Sequence, residues 1–221
     1  MMNKRKVSTS GWVTRVIIVM TAWFMFGLAD GYAQELTEQQ QQAIQRRVKN
    51  KVEEFQFYLE QLADRQVTNQ KMRNEAYQLA LKLFIGHGEQ YREYNVEDGA
   101  YVIKGPVKMQ TSSKKNSRIN NIPIKRYLQN LKNNSSYSNV VIQSADAVYV
   151  TDIIQAGDHY ECIAYFCQKY IAYREGRVVY SDVTTKKIRI RIEKIEIPNS
   201  NGTAKVIWNA LLGDIYVVET R

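Results

Sequence analysis

Between positions 44 and 62, the apolar residues Ile44, Val48, Val52, Phe55, Leu59 and Leu62 recur at spacings of four, four, three, four and three. That rhythm places them on one stripe of a long amphipathic helix, with Arg46, Arg47, Lys49, Lys51, Glu53, Glu54 and Glu60 mostly off it. Thr37, with Gln40 three residues on, fits a capping box, so the helix is expected within residues 34–66. A second helix is predicted from about Thr68. Its apolar face is Met72, Ala76, Leu79, Ala80, Leu83 and Phe84, and Gly86-His87-Gly88 ends it. Residues 94–112 read as extended, with a turn at Glu97-Asp98-Gly99, a short strand at Ala100–Ile103 and a break at Pro106. Ser112 to Asn121 reads as a polar, basic loop. A third helix is expected from Pro123, in its first turn, to about Lys132, with Ile124, Tyr127, Leu128 and Leu131 facing inward.

From Tyr137 the period shortens to two. Strands are predicted at Val140–Gln143, Ala147–Gln155, Tyr160–Tyr173, Val178–Ser181, Thr185–Ile197 and Lys205–Thr220, the last broken near Gly213. Hairpin turns fall at Ala156-Gly157-Asp158, at Arg174-Glu175-Gly176 and across Pro198 to Gly202. The clearest strand alternates Ile188, Ile190 and Ile192 on one face with Lys187, Arg189, Arg191 and Glu193 on the other. The isoleucine parity then flips to Ile195 and Ile197, which predicts a β-bulge or bend near Glu193-Lys194. Helices first and long hairpin-linked strands afterwards is an α+β arrangement, with N-terminal helices packed on a strongly curved antiparallel sheet.

This order of elements resembles the nuclear transport factor 2-like superfamily: a long first helix, a second helix, a broken hairpin, a short third helix and then long bent strands, over roughly Glu35 to Thr220. The resemblance implies a cone-like sheet curled around its helices with a mouth at one end, a shape found among many small exported bacterial proteins. Some members of that superfamily are isomerases or dehydratases with an Asp, Tyr or His inside the cone; others only bind ligands or proteins.

The beginning of the chain bears on compartment. Lys4, Arg5, Lys6 and Arg15 precede the uncharged apolar run Val16–Ala29, and Gly31-Tyr32-Ala33 sets small residues before Gln34. These are the three parts of a secretory signal peptide, residues 1–33, with cleavage expected between Ala33 and Gln34 and the remainder, 67–221, completing one domain with the first helix. The apolar run is 14 residues, short of the ~20 that span a bilayer. Kept as an anchor, the segment would be the chain's only hold on a membrane. Removing it, with its four basic residues and Asp30, lowers the net charge from +9 to +6. A moderately basic exported protein suits an anionic envelope component or a protein partner, or a second copy of itself. Nucleic acid is not expected, because export removes it and no binding signature accompanies the charge.

Candidate chemistry is sparse. The sequence contains no HExxH, GxSxG, GxxxxGK[ST] or CxxC, and two histidines with two cysteines make a zinc site hard to build. Cys162 and Cys167 on one strand would stand ~16 Å apart at ~3.3 Å per residue, beyond the ~7 Å limit for a disulfide. His159 is the only base near them, and His87 reads as a capping residue. Asp146, Asp152, Asp158, Asp182 and Asp214 read as turn or strand-end residues. Glu161, with apolar strand neighbours, is the one acid–base candidate. Of the 15 tyrosines, most fall in the strand-rich half, where they suit half-buried sheet faces; an aromatic-lined pocket is the second reading.

The stripe Lys187, Arg189 and Arg191 is the candidate anion- or partner-binding face. The chain thus reads as a periplasmic or extracellular binding or assembly module without catalytic activity, cofactor or metal. One alternative is an isomerase- or dehydratase-like enzyme using the cone interior. Another is a membrane-anchored subunit of a secretion or conjugation complex. A tyrosine-lined pocket with a buried carboxylate favours the enzyme; a filled cone with an exposed apolar patch favours the assembly module.

Overall fold

All six stripe residues from Ile44 to Leu62 are fully buried along helix α1 (Glu38–Ala63), which begins directly after Thr37. The computed structural model describes residues 36–66, 68–95, 97–198 and 204–221. The leader, its cleavage position and the turn beyond Pro198 lie outside the described residues. Helix α2 (Gln70–Lys82) starts later than expected, because the Asn69 side chain accepts a hydrogen bond from the Met72 N–H at 3.0 Å and caps it. Its inward face is Ala76, Tyr77, Ala80 and Leu81, whereas Met72 and Leu79 are 46 % and 43 % exposed. Leu83 and Phe84 are buried but no longer helical. Leu83 O accepts from the Leu212 N–H at 2.8 Å, so this segment serves the edge of a strand. Gly86 (φ 66°) turns the chain away where a Cβ would sit 2.9 Å from Tyr91 Cβ.

Two strands, β1 (Tyr91–Asn95) and β2 (Ala100–Lys104), form a separate hairpin. The segment expected to be a basic loop is instead β3 (Lys108–Ser113) and β4 (Asn116–Pro123), paired antiparallel around a turn at Lys114-Lys115. The polarity that suggested a loop belongs to an edge strand, where charge discourages further pairing. Helix α3 (Ile124–Lys132) follows, with Ile124, Leu128 and Leu131 buried.

Six further strands complete the large sheet: β5 (Asn139–Ser144), β6 (Tyr149–Val150), β7 (Ile154–Ala156), β8 (His159–Arg174), β9 (Arg177–Pro198) and β10 (Ala204–Thr220). The order is β4-β3-β10-β9-β8-β5, with β6 and β7 also on the β8 edge. The fold is α+β. The sheet is mixed, because β3 runs parallel to β10 at Met109 and Ile215, and neither sheet closes on itself among the described residues. The strand expected over 147–155 is split, since Thr151 uses its N–H and its Oγ1 on Ile163 in place of a regular ladder.

Strand β9 runs unbroken through Asp182 to Thr184, where two strands were expected. No bulge lies near Glu193-Lys194; pairing with β10 is continuous from Ile192–Ala210 to Pro198–Ala204. The parity flip is tolerated because β8 pairs with β9 only as far as Tyr160–Ile192. Beyond it the two remaining strands have no core to face, and Ile195 and Ile197 are exposed. The register shifts of this pair sit instead between Leu212 and Ile215 and between Val217 and Glu219. Gly213 lies in the first of these, and a Cβ there would sit 3.0 Å from Arg189 O.

One face of the sheet carries the helices. Phe166 of β8 meets Phe55 of α1 edge-on at 6.4 Å between centroids, and Phe55 meets Phe84 at 5.1 Å. Ile188, Ile190 and Ile192 share that face and are fully buried. Such burial of aliphatic side chains is worth ~1.5–3 kcal/mol each.

Candidate functional site

Following β9 from Ile192 toward its start, the helix-bearing face changes from apolar to polar. The same even-numbered positions that carry the isoleucines carry Lys186, Thr184 and Asp182, all buried. Their neighbours on β8 are Phe166, Gln168 and Tyr170. The face does not fill here. A cleft of about 290 Å³ lies between this end of β8 and β9, strand β3 with its turn, and helix α3 with the loop after it. Tyr127, Tyr137, Tyr170 and Tyr180 line it, with Thr111, Ser112, Ser113, Lys115, Gln168, Asp182, Thr184 and Lys186.

The hydrogen bonds define what each group offers. Tyr180 donates its one proton to Asp182 Oδ2. It therefore accepts from the Lys114 N–H at 2.9 Å and from the Ser113 hydroxyl at 3.0 Å. Lys115 places its ammonium 5.5 Å from the Tyr180 ring centroid, and Tyr170 packs edge-on to the same ring at 6.0 Å. Lys186 Nζ donates to Gln110 O at 3.3 Å. Among the described residues no carboxylate lies within 4.0 Å of that amine. Gln168, only 5 % exposed, has a buried Nε2 with no hydrogen-bond partner among the described residues. An unsatisfied buried amide is uncommon and costs about 1–3 kcal/mol, so one lining a cleft marks a place where a ligand atom is expected.

Burial dominates the electrostatics. It lowers the Lys186 amine to about 8, against the opposing pull of Asp182. It raises the Tyr170 hydroxyl to about 12 and the Tyr127 hydroxyl further still, so both keep their protons and remain donors.

No known protein family, curated protein or solved structure matches the chain.

The residues singled out by sequence lie elsewhere, on the opposite face. Lys187, Arg189 and Arg191 do share that face, but they are not a row of solvated cations. The β1–β2 hairpin lies over Arg189 and Arg191. Arg189 is ion-paired to Glu93 and lies 3.9 Å from Glu161. Arg191 is buried, 3.1 Å from Glu193, and donates to Arg92 O. Lys187 is exposed, 5.8 Å from the Tyr216 ring. Glu161 is likewise paired. Its Oε1 is 2.9 Å from His159 Nε2, while His159 Nδ1 is 2.7 Å from Asp158, whose other oxygen accepts from Tyr101 at 2.5 Å.

The hydrogen bond from His159 holds the Glu161 carboxyl below its ordinary range, the reverse of a raised acid–base glutamate. The bond to Glu161 in turn raises the His159 imidazole despite its burial. Burial pushes Asp158 up, but the bonds from His159 and Tyr101 outweigh it and leave that carboxyl lowered. Among the described residues no group of His, Cys, Asp or Glu is arranged to hold a metal ion. Cys162 and Cys167 are free and buried, and burial lifts the Cys162 thiol to about 12. His87 is exposed in the left-handed turn that follows α2.

Sequence reasoning missed the cleft because Asp182 read as a turn residue between two strands. A signal was present. Lys186 lies inside the strand predicted at Thr185–Ile197 and shares the parity of Ile188, Ile190 and Ile192, so the alternation itself carries a lysine onto the buried face.

Proposed function

We propose that the chain is an exported cell-envelope protein that binds a small polar molecule in the tyrosine-lined cleft, on a cone-like fold of the nuclear transport factor 2 type. The observation that carries this reading is the conjunction, in the lining of one open volume, of two buried residues: Lys186, whose Nζ donates to a single backbone carbonyl, and Gln168, whose Nε2 has no partner among the described residues. A volume of about 290 Å³ is at the small end of ligand sites, ~300–1,000 Å³, and the lining is mostly hydroxyl and amide. That favours a compact ligand with oxygen acceptors over a lipid or a peptide. Partner binding through the basic stripe is less well supported, because Arg189 and Arg191 already satisfy carboxylates of the same chain.

The test is ligand-observed and protein-observed NMR with small oxo-acids, polyols and sugars. A binder is expected to shift the ring signals of Tyr170 and Tyr180 and to lose affinity at least tenfold in Gln168→Leu and Tyr170→Phe. Shifts confined to the β1–β2 hairpin would move the site to the opposite face. Export is tested separately by intact mass of the protein from its native compartment, which is expected to lack residues 1–33.

One observation favours a second reading. Asp182 is a buried carboxylate in a tyrosine-lined cleft, the arrangement expected of an isomerase or dehydratase using the cone interior. Turnover that Asp182→Asn abolishes while ligand binding survives would select that reading.

A further inference from the structure

We infer that the cleft captures a small aldehyde or ketone as a reversible imine on Lys186 Nζ. The inference rests on the small-molecule reading of the cleft and names the chemical class of its ligand.

Lys186 lies on the buried face of β9, four positions from Ile190 and in line with the core. Among the described residues its Nζ makes a single hydrogen bond, to a backbone carbonyl. A lysine kept as a structural cation would bring a carboxylate or several acceptors to its three donors. None of the described carboxylates comes within 4.0 Å. Asp182, on the same face, is committed to the Tyr180 hydroxyl. The amine therefore borders an open volume with most of its bonding capacity unused. With burial lowering it to about 8, roughly a tenth of this amine is uncharged at pH 7, against less than about a thousandth of an exposed lysine, and the uncharged form is the nucleophile. The same cleft is lined by donors suited to a carbonyl oxygen: the Gln168 amide, which lacks a partner among the described residues, and the Tyr127 and Tyr170 hydroxyls, which keep their protons.

The step balances without an added reagent. The Nζ lone pair attacks the carbonyl carbon, the C–O π bond opens, and a proton from the amine reaches the oxygen to give a carbinolamine. Loss of the second amine proton with the hydroxyl releases one water and leaves C=Nζ. Hydrolysis reverses it, with no net oxidation or reduction.

The test is reductive trapping. The purified protein is incubated near neutral pH with one equivalent of pyruvate or of glyceraldehyde and sodium cyanoborohydride, and the adducts are mapped by peptide mass. The peptide containing Lys186 is expected to carry the adduct in preference to exposed Lys187 and Lys194 by about tenfold or more. Lys186→Arg is expected to lose that adduct and keep the background on surface lysines. A second readout needs no variant. In the wild-type protein the preference is expected to shrink as pH approaches 10.5, where exposed lysines also shed their protons. Labelling without preference for Lys186 at neutral pH overturns the imine. If the probes still shift the Tyr170 and Tyr180 signals in that case, the cleft remains a binding site and only its covalent chemistry is wrong. If they shift nothing, the imine is overturned for these probes and the small-molecule reading loses its support with it.

Discussion

Glu93 and Arg189, 96 positions apart, meet as an ion pair that pins the β1–β2 hairpin over the outer face of strand β9. The pair is linked onward through Lys104, 3.8 Å from Glu93, and through Glu161, 3.9 Å from Arg189. Glu93→Gln leaves Arg189 with only its longer contact. Because Arg189 retains 29 % side-chain exposure, the expected loss lies at the low end of buried-pair penalties, ~1–2 kcal/mol. A double-mutant cycle with Arg189→Met, read by urea denaturation, is expected to show coupling of at least about 0.5 kcal/mol. Additive losses would mean that the hairpin is held by other contacts.

His159 bridges Asp158 and Glu161, and the three titrate in opposite senses. The imidazole is raised above its ordinary 6.5, so the stability it confers is complete below that pH and is lost as pH rises through the folded value. The two carboxyls are lowered from 3.8 and 4.5, so their contribution is complete above those values and is lost as pH falls through the folded ones. The stability difference between wild type and His159→Gln is therefore expected to peak between about pH 4.5 and pH 6.5 and to shrink on both sides. Arg189, Arg191, Glu93 and Tyr101 surround the cluster and are common to both proteins. A flat difference from pH 4 to pH 9 would show that the bridge does not form.

Lys186 works with the opposite sign. Its folded amine titrates near 8 against 10.5 when exposed, so across that window the unfolded chain binds more protons and stability rises with pH. Relative to Lys186→Met, wild type is expected to gain on the order of 3 kcal/mol across the window. Thermal or urea unfolding of both proteins at several alkaline pH values checks this; parallel profiles would place the amine in solvent.

Ile190 and Lys187 test the facing of β9. Ile190→Ala removes buried methylenes and is expected to cost ~2–4 kcal/mol, whereas Lys187→Ala is expected to change stability by no more than about 0.5 kcal/mol. Arg189→Ala is expected to cost more than Lys187→Ala, since Arg189 holds Glu93.

Cys162 and Cys167 are free and buried. A thiol reagent is expected to react slowly with the native protein and to titrate both cysteines once denaturant is added without reductant. Rapid native labelling of Cys162 would contradict its buried, proton-retaining state.

Local patterning determined a good deal. The spacing from Ile44 to Leu62 specified α1 and its buried face, and the alternation at 187–192 specified which isoleucines enter the core. Both succeed because periodicity reports burial within a single element, where neighbouring positions share one partner surface. It failed where the partner is distant or changes along the element. Met72 and Leu79 are expected inward and lie outward, because the face that α2 buries is Ala76, Tyr77, Ala80 and Leu81. Ile195 and Ile197 implied a bulge, yet their strand outruns β8 and has no core to satisfy. Arg189 looked solvated because nothing local announces Glu93 of a hairpin folded over it. The cleft belongs to this second class. Asp182, Thr184 and Lys186 break the apolar pattern of β9, and a sequence cannot distinguish a strand that ends from one that passes under an unfilled volume. Only the placement of β3, α3 and β8 around those positions decided which, since a cavity is a property of the space between elements and not of any one of them.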